Sequence, residues 1–407
     1  MTRATRVGPG TGRRTGAGLL ALAAGLSLGP FAALGLGRFA YALLLPTMKA
    51  QLHWSFAAAG AVNAANALGY LVGSMGAARI ARRFGTRTSF AASIIATGLS
   101  LVACAATSNL LLLLVLRAVT GATGAVTFVT GAGLLAQAIR ARRPPVDGTV
   151  ATGVYFAGAS AGILASGLGV PALLAGLPHD LGWRVAWLVM GAASFLVLAV
   201  TVRAGRAAPE PPPPPEGGDH RWPARRVVPA LVSYGLFGAG YIAYMTFVVA
   251  YLRTGGMTVT GVAAFWSVLG VAGMAGPFLW ARSLRGFAPP RRAALILAVL
   301  AVGAALPLVS TTPVAGFVSA VLFGGSFLMV VTMFTEYVRA AMPPHQWTPA
   351  IAGFTVAFAT GQCIGPVLAG LLSDTSGGVG LGLAVSAGVL AVGALVGFAQ
   401  RTRQTAS

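Results

Sequence analysis

Long apolar stretches recur along the whole sequence and constrain its fold more than any other feature. Each runs for about 20 residues or more, the length that an α-helix needs to cross the roughly 30 Å hydrocarbon core of a bilayer. The composition, 56% hydrophobic and 9% charged, is not that of a soluble domain. The sequence therefore predicts an all-α polytopic membrane protein with twelve transmembrane helices. The predicted helices begin near Gly18, Ala57, Thr88, Asn109, Gly148, Leu181, Val227, Thr258, Arg292, Pro313, Thr348 and Val379.

Residues about 203 positions apart match within these apolar stretches. Gly37 and Tyr41, for example, return as Gly240 and Tyr244. The same offset relates Gly73, Arg79, Arg82, Gly158 and Gly162 to Gly276, Arg282, Arg285, Gly361 and Gly365. Parallel duplication of a six-helix unit is the architecture of one large class of secondary transporters, whose substrate site lies between the two units. We therefore expect two six-helix pseudo-repeats.

A proline-rich segment separates the two predicted units. Residues 209–219 are polar and rich in proline, which excludes a helix and predicts a polyproline-like linker. The predicted organisation is an N-terminal tail at 1–17, a first six-helix bundle at 18–203, the linker at 204–226, a second bundle at 227–400 and a C-terminal tail at 401–407.

The basic residues lie almost entirely on one side of the predicted membrane topology. Of 28 Lys and Arg residues, 23 lie in the tails and in the loops on the same side as the tails. Only Lys49, Arg184 and Arg253 lie in loops on the opposite side. By the positive-inside rule, both termini are cytoplasmic and the protein resides in the cell membrane. The same asymmetry explains the net charge of +21 without a nucleic-acid partner.

Two motifs resemble the major facilitator superfamily. Arg117 and Gly121 lie in a segment that resembles the Arg-and-Gly motif of the fourth helix in proton-coupled members. The loop at 79–87 resembles the cytoplasmic signature of the superfamily, although Arg82 stands where an aspartate is usual. Segments 37–41, 66–70, 183–187, 234–241 and 358–366 resemble its YbfB/YjiJ-type branch. The resemblance covers nearly the whole chain outside the tails and linker, and it implies alternating access around a cavity lined by helices one, four, seven and ten.

Arg38 and Arg117 are the only charged residues well inside the predicted helices. A charge at mid-bilayer costs roughly 2.5 to 3.5 kcal/mol on the insertion scale, so such residues commonly serve a function. The acids read as loop or helix-end residues, and Glu336 is expected to pair with Arg339, so neither arginine has an evident carboxylate partner. Two cavity arginines without a carboxylate favour an anionic substrate. The alternatives are snorkelling for Arg38 and a structural bond to nearby carbonyls for Arg117.

Polar residues inside the helices are further candidates for the substrate site. They are Tyr41, Asn66, Tyr70, Tyr155, Tyr241, Tyr244 and Gln362. Their alternative role is hydrogen bonding between helices. Trp183 and Trp187 are expected to anchor the protein at the membrane interface.

A second set of residues is expected to serve packing or gating. The set is Gly73, Arg79, Arg82, Gly121, Gly158, Gly162, Gly361, Gly365 and Pro366. Small residues spaced four apart allow two helices to approach closely, either as static packing or as a sliding surface.

Catalytic, cofactor and metal sites are not expected in this sequence. The single lysine, Lys49, follows Met48 rather than a glycine, which excludes a P-loop. The four histidines are scattered and form no zinc pattern. The sequence predicts a monomeric secondary transporter for a small anionic organic solute, in contact with membrane lipid, with direction and proton coupling left open. Efflux of drugs or hydrophobic metabolites is the alternative, and a membrane sensor without transport activity is a third reading.

Overall fold

The twelve predicted membrane helices are present in the computed structural model. It describes residues 10–142, 146–212, 222–284, 286–310, 312–343 and 346–400, without the side chains of 10–16, 179, 281, 282 and 348. Within these ranges the chain is almost entirely helical and twelve helices are long and apolar enough to span a membrane, as predicted. The tails and most of the proline-rich linker lie outside the described residues, so the predicted domain limits stay a prediction.

The first membrane helix, α1, consists of three consecutive pieces, Gly10–Pro30, Phe31–Phe39 and Tyr41–Gln51. The other helices are α2 Phe56–Phe84, α3 Thr86–Ala105, α4 Leu110–Arg140, α5 Thr149–Gly176, α6 His179–Ala207, α7 Val228–Thr254, α8 Val259–Ser283, α9 Pro289–Val309, α10 Pro313–Ala341, α11 Trp347–Ser373 and α12 Gly378–Phe398. A short 3₁₀ segment, Ala224–Val227, leads into α7.

Helices α1–α6 form the first half of the molecule and α7–α12 form the second. Short connections make consecutive helices run in opposite directions, so both ends of the described chain lie at one end of the bundle, here called the terminal end. The opposite end, which carries the α1–α2 and α11–α12 connections, is called the far end. The two halves pack against each other mainly through α2 with α11 and α5 with α8.

The middle piece of α1 is a π-helix, Phe31–Phe39. It follows Pro30, which has no backbone N–H to donate to a helical hydrogen bond. The amide of Ala40 donates to the carbonyl of Gly35 at 3.1 Å, which is the wide-turn spacing of a π-helix. Such widened turns often occur at functional sites, and this one carries Arg38.

The far end is closed by contacts between the two halves. The carboxylate of Asp374, directly after α11, accepts hydrogen bonds from the backbone amides of Phe56 at 2.7 Å and Ala57 at 2.9 Å, in the first turn of α2. Deeper in the molecule, Asn63 on α2 donates to the hydroxyl of Thr246 on α7 at 2.5 Å. These bonds join the first half to the second.

Close approach of the α2 and α11 backbones requires glycine at the far end. A side-chain carbon added at Gly370 would collide with the backbone of Phe56 and Ala57. A carbon added at Gly60 would likewise collide with the carbonyl of Pro366. In lipid, where apolar burial gives no drive for association, such backbone contact supplies the packing energy.

Candidate functional site

Arg38 lies on the π-helical piece of α1, between the two halves, with only 4% of its surface exposed. Two of its guanidinium nitrogens, Nε and Nη2, are buried without a hydrogen-bond acceptor. Its guanidinium carbon lies 5.3 Å from the centre of the Tyr70 ring and 5.9 Å from that of Phe39. Aromatic faces stabilise a cation but offer no acceptor for its N–H groups, so Arg38 keeps unused donors in the protein interior.

Arg38 faces polar residues of the second half. It interacts electrostatically with Tyr241 on α7 and with Cys363 on α11. The side-chain amide of Gln362 donates to the Tyr241 hydroxyl at 2.5 Å, and the Gln362 Oε1 atom is buried without a partner. A buried cation, a buried hydroxyl and a free amide oxygen thus meet where the halves face each other.

Five rings of the second half stack beside this polar group, and we call them the aromatic wall. They are Tyr234, Phe237 and Tyr241 on α7, Phe327 on α10 and Phe358 on α11. Neighbouring planes in the wall are nearly parallel, at angles of 8° to 20°.

The aromatic wall reaches the first half through a ring contact. Phe39, next to Arg38, meets Phe327 edge to face with ring centres 5.7 Å apart. Tyr70 and Phe358 are each only partly buried, whereas Tyr241 is 4% exposed. The wall therefore lies where the two halves meet, next to Arg38.

Arg117 lies on α4 and is completely buried. Its guanidinium carbon is 5.5 Å from the Tyr41 ring centre and 5.2 Å from that of Trp187, and its Nη1 donates to the carbonyl of Gly37 at 2.5 Å. Its Nε and Nη2 atoms lack acceptors, as in Arg38. All of these contacts belong to the first half, so Arg117 sits inside one bundle while Arg38 lies between the two.

The structure brings four of the predicted site residues together, namely Arg38, Tyr70, Tyr241 and Gln362. The other predicted side chains hydrogen-bond within their own half. Three of them donate to backbone carbonyl oxygens: Tyr41 to Ala59 at 2.9 Å, Tyr155 to Phe128 at 2.7 Å and Asn66 to Arg117 at 3.1 Å. The hydroxyl of Tyr244 bonds that of Ser319 at 2.6 Å. A substrate role for any of them stays a prediction.

Two expectations from the sequence were wrong. Trp183 and Trp187 are 1% and 0% exposed, so they do not anchor the protein at the lipid interface. Trp183 instead donates to the Gln51 side chain at 2.5 Å, and Trp187 covers Arg117.

Glu336 pairs with Arg292 on α9, at 3.6 Å, rather than with Arg339. The guanidinium of Arg339 lies over the ring of Trp347 instead. The pairing rule for neighbours on one helix ignored the adjacent helix, which carries the arginine that Glu336 contacts.

The glycines predicted for packing or gating contact helices of their own half. Gly73 lies against the backbone of Ala122 on α4, and Gly121 lies against that of Asn66. Gly158 and Gly162 pack on α1, while Gly361 and Gly365 pack on α7. Pro366 approaches Gly60 across the halves, and Arg79 and Arg82 are exposed near the terminal end of α2. Their part in gating stays a prediction.

Sequence reasoning missed the aromatic wall and the hydrogen bonds between Asp374 and the first turn of α2. The spacing of Tyr234, Phe237 and Tyr241, at i, i+3 and i+7, already places three aromatic rings on one helical face. No sequence signal relates Phe327 and Phe358 to that face. Among the described residues, no group of three His, Cys, Asp or Glu side chains is placed to hold a metal ion.

Twelve helices in two similar halves, with a polar site between them, define a membrane transporter of the major facilitator type. The sequence profile of a family described as uncharacterised MFS-type transporter YbfB matches residues 31–398, and the chain belongs to this family. No curated protein matches the sequence at a significant level.

Solved transporter structures share the fold. A mutant of the nucleoside transporter NupG matches with a TM-score of 0.74 and 14% identity, over 94% of this chain and 100% of that one. An auto-inhibited POT family peptide transporter matches with a TM-score of 0.72 and 13% identity, over 94% and 98% of the two chains. A bacterial homologue of the human lysosomal transporter Spinster, inward-facing and unoccupied, gives 0.69 and 16%, over 96% and 98%. At these identities the likeness shows the fold alone.

Proposed function

We propose that this transporter moves a small organic anion across the cell membrane by alternating access, with Arg38 as the anion-binding residue. The observation that carries the proposal is the state of the Arg38 guanidinium. It is 4% exposed, it lies between the halves, and two of its donors have no acceptor. Burying an unpaired charge is costly, and a bound anion would offset that cost.

Snorkelling does not account for this arrangement. A snorkelling arginine extends its head group to the water at the membrane surface, whereas Arg38 is enclosed by Tyr70, Phe39 and the second half. The ion pairs between described residues involve Arg87 with Glu210 and Arg292 with Glu336, both away from this site. The chemistry of the site therefore supports a ligand that brings its own negative charge.

The two-half architecture supports alternating access. Substrate at the inter-half site would be exposed at one end while the halves meet at the other, and here they meet at the far end through Asp374 and α2. The distribution of Lys and Arg supports a cytoplasmic location for the terminal end. On that orientation the structure represents the conformation closed to the outside.

Transport of a hydrophobic drug or metabolite is a second candidate function, and the aromatic wall is the observation that favours it. Stacked rings bind apolar or cationic aromatic molecules without any need for an arginine. The two functions differ in what Arg38 does. An anion carrier depends on its charge, whereas a hydrophobic carrier would be hindered by a buried cation.

Uptake into proteoliposomes distinguishes these functions. A panel of radiolabelled organic acids is compared with cationic dyes for wild type, Arg38→Gln and Arg38→Lys, with Arg253→Gln as a control at an exposed arginine on α7. We expect saturable uptake of an acid that Arg38→Gln abolishes, that Arg38→Lys retains in part, and that Arg253→Gln leaves intact. Dye uptake that is unchanged or improved in Arg38→Gln, without uptake of any acid by wild type, would refute the anion proposal.

A further inference from the structure

We infer that the substrate class is a planar aromatic monocarboxylate, bound with its carboxylate on Arg38 and its ring against the aromatic wall. This inference rests on the proposed function and narrows it to one chemical class. Two independent features of the site carry it, namely which donors of Arg38 are unused and the orientation of the rings across from it.

The unused donors of Arg38 form one edge of its guanidinium. Nε and Nη2 carry N–H groups that point in parallel from the same side of the planar group, and both lack acceptors. Two parallel donors match the two oxygens of a carboxylate in a bidentate pair. A single unused donor would not favour a carboxylate over other hydrogen-bond acceptors, because any acceptor would satisfy it.

The rings opposite Arg38 select for a flat molecule. Tyr241, which interacts with Arg38, is parallel to Phe358 within 8° at a centroid distance of 5.7 Å, and is tilted by 20° from Phe327 at 6.3 Å. Parallel rings present flat faces, and Phe358 is the ring of the wall that is only partly buried. A planar ring adds to such a stack by offset stacking, which a puckered ring of the same size does not achieve.

The bond between Gln362 and Tyr241 leaves a second pair of unused groups. Because Gln362 donates to the Tyr241 hydroxyl, that hydroxyl keeps its own proton to donate, and the Gln362 Oε1 atom has no partner. A hydroxyl on the substrate ring could therefore both accept from Tyr241 and donate to Gln362. A ring hydroxyl should strengthen binding accordingly.

The cation and the wall come from different halves of the molecule. Under the repeat offset of 203, the wall residues Tyr234, Phe237 and Tyr241 correspond to Phe31, Leu34 and Arg38, so the first half has no equivalent wall on α1. A molecule with a carboxylate at one end and an aromatic ring at the other would contact both halves at once. Such a bridging ligand biases how the halves sit relative to each other, as alternating access requires.

The test is a binding assay on the full-length protein in lipid nanodiscs, by isothermal titration calorimetry. The probes are benzoate, 4-hydroxybenzoate, cyclohexanecarboxylate and benzamide. Cyclohexanecarboxylate matches benzoate in charge and approximate size but lacks the planar ring, and benzamide keeps the ring but lacks the charge. We expect benzoate to bind about 3- to 10-fold more tightly than cyclohexanecarboxylate, 4-hydroxybenzoate to bind more tightly still, and benzamide to bind weakly.

Variants assign each preference to a residue. Phe358→Leu should bring the benzoate to cyclohexanecarboxylate ratio close to one, and Tyr241→Phe should abolish only the advantage of the ring hydroxyl. Arg38→Gln should lose both carboxylates. Thermal unfolding of each variant in detergent confirms that it is folded, and Tyr241→Phe, which keeps the ring, serves as the mildest change.

The outcomes separate this inference from the proposed function. Equal binding of benzoate and cyclohexanecarboxylate, both dependent on Arg38, would overturn the aromatic class and leave anion transport standing. Equal binding of benzamide and benzoate would refute the bidentate pairing of a carboxylate with Arg38. If neither carboxylate binds to wild type at millimolar concentration, the inferred class is wrong, and the uptake panel of organic acids decides separately whether the anion proposal stands.

Discussion

The bond between Asp374 and the start of α2 offers the sharpest test of how the two halves are held together. Asp374 accepts from two backbone amides of the other half, at 2.7 and 2.9 Å. These amides lie in the first turn of α2, where backbone N–H groups lack helical partners and the helix dipole favours a negative charge. We predict that Asp374→Ala shifts the molecule away from the conformation in which the far end is closed.

The size of the shift follows from the contact. A side-chain cap on a helix N-terminus contributes about 0.5 to 2 kcal/mol, and the carboxylate charge near the dipole adds about 0.3 to 1 kcal/mol. Asp374 is exposed, so solvent screening reduces the sum to about 1 to 1.5 kcal/mol. The equilibrium between closed and open far ends should then change by about 5- to 12-fold.

Spin-label distances measure this equilibrium directly. Labels at Ala106→Cys in the first half and Gly255→Cys in the second both lie at the far end, in a background without the native cysteines. Gly255 has ordinary backbone angles and no close contact at its added carbon, so the cysteine is tolerated there. We expect a longer-distance population to grow in Asp374→Ala.

A matched control separates the cap from general charge effects. Asp180 is an exposed acid at the far end, in the first turn of α6, and within the described part of the chain it makes no hydrogen bond or ion pair with the second half. Asp180→Ala should leave the distances unchanged. Identical distance distributions for wild type and Asp374→Ala would refute the argument that this bond holds the far end closed.

Three further predictions concern packing and charge. Gly370→Ala should open the far end and reduce transport, because the added carbon meets the backbone of α2. In the control Gly388→Ala the added carbon meets nothing within 4 Å, so this variant should transport as wild type does. Uptake and the same pair of spin labels measure both variants. Trp187→Leu should lower the free energy of unfolding by about 3 kcal/mol, because a fully buried ring over Arg117 is lost, and an unchanged melting temperature would contradict this. Benzoate binding should stay constant from pH 6 to pH 8, because no described carboxylate or histidine contacts Arg38; a bell-shaped or sloping titration curve would show a titrating group in the site.

The sequence predicted the helices far better than it predicted their contacts. Apolar length alone identifies membrane helices, because lipid leaves the backbone no alternative hydrogen bonds. Eleven of the twelve observed starts lie within three residues of the predicted ones, and α1 begins at Gly10, eight residues before the predicted Gly18. The preference of tryptophan for membrane interfaces, by contrast, is only an average tendency. Trp187 is buried because Arg117 and Tyr41 lie on neighbouring helices, and that neighbourhood is not written locally in the chain.

The aromatic wall likewise shows that sequence predicts helices better than the contacts between them. Three of its rings follow the helical spacing on α7, whereas Phe327 and Phe358 join it from helices that lie some 86 and 117 positions further along the chain from Tyr241. Their stacking depends on how α10 and α11 pack around α7. Sequence spacing describes one helix at a time, so it cannot show which rings of three helices share a surface.

By itself, the sequence determined that this chain is a twelve-helix membrane protein built from two related halves, with two arginines in the first half that have no acidic partner nearby. Only the tertiary structure decided which arginine faces the second half. Arg117 lies beside the rings of Tyr41 and Trp187 and donates to the carbonyl of Gly37 within its own bundle, whereas Arg38 lies between the halves, beside Tyr241. The physical reason is that burial cost depends on which residue types enter the membrane, but the role of a buried charge depends on which groups surround it.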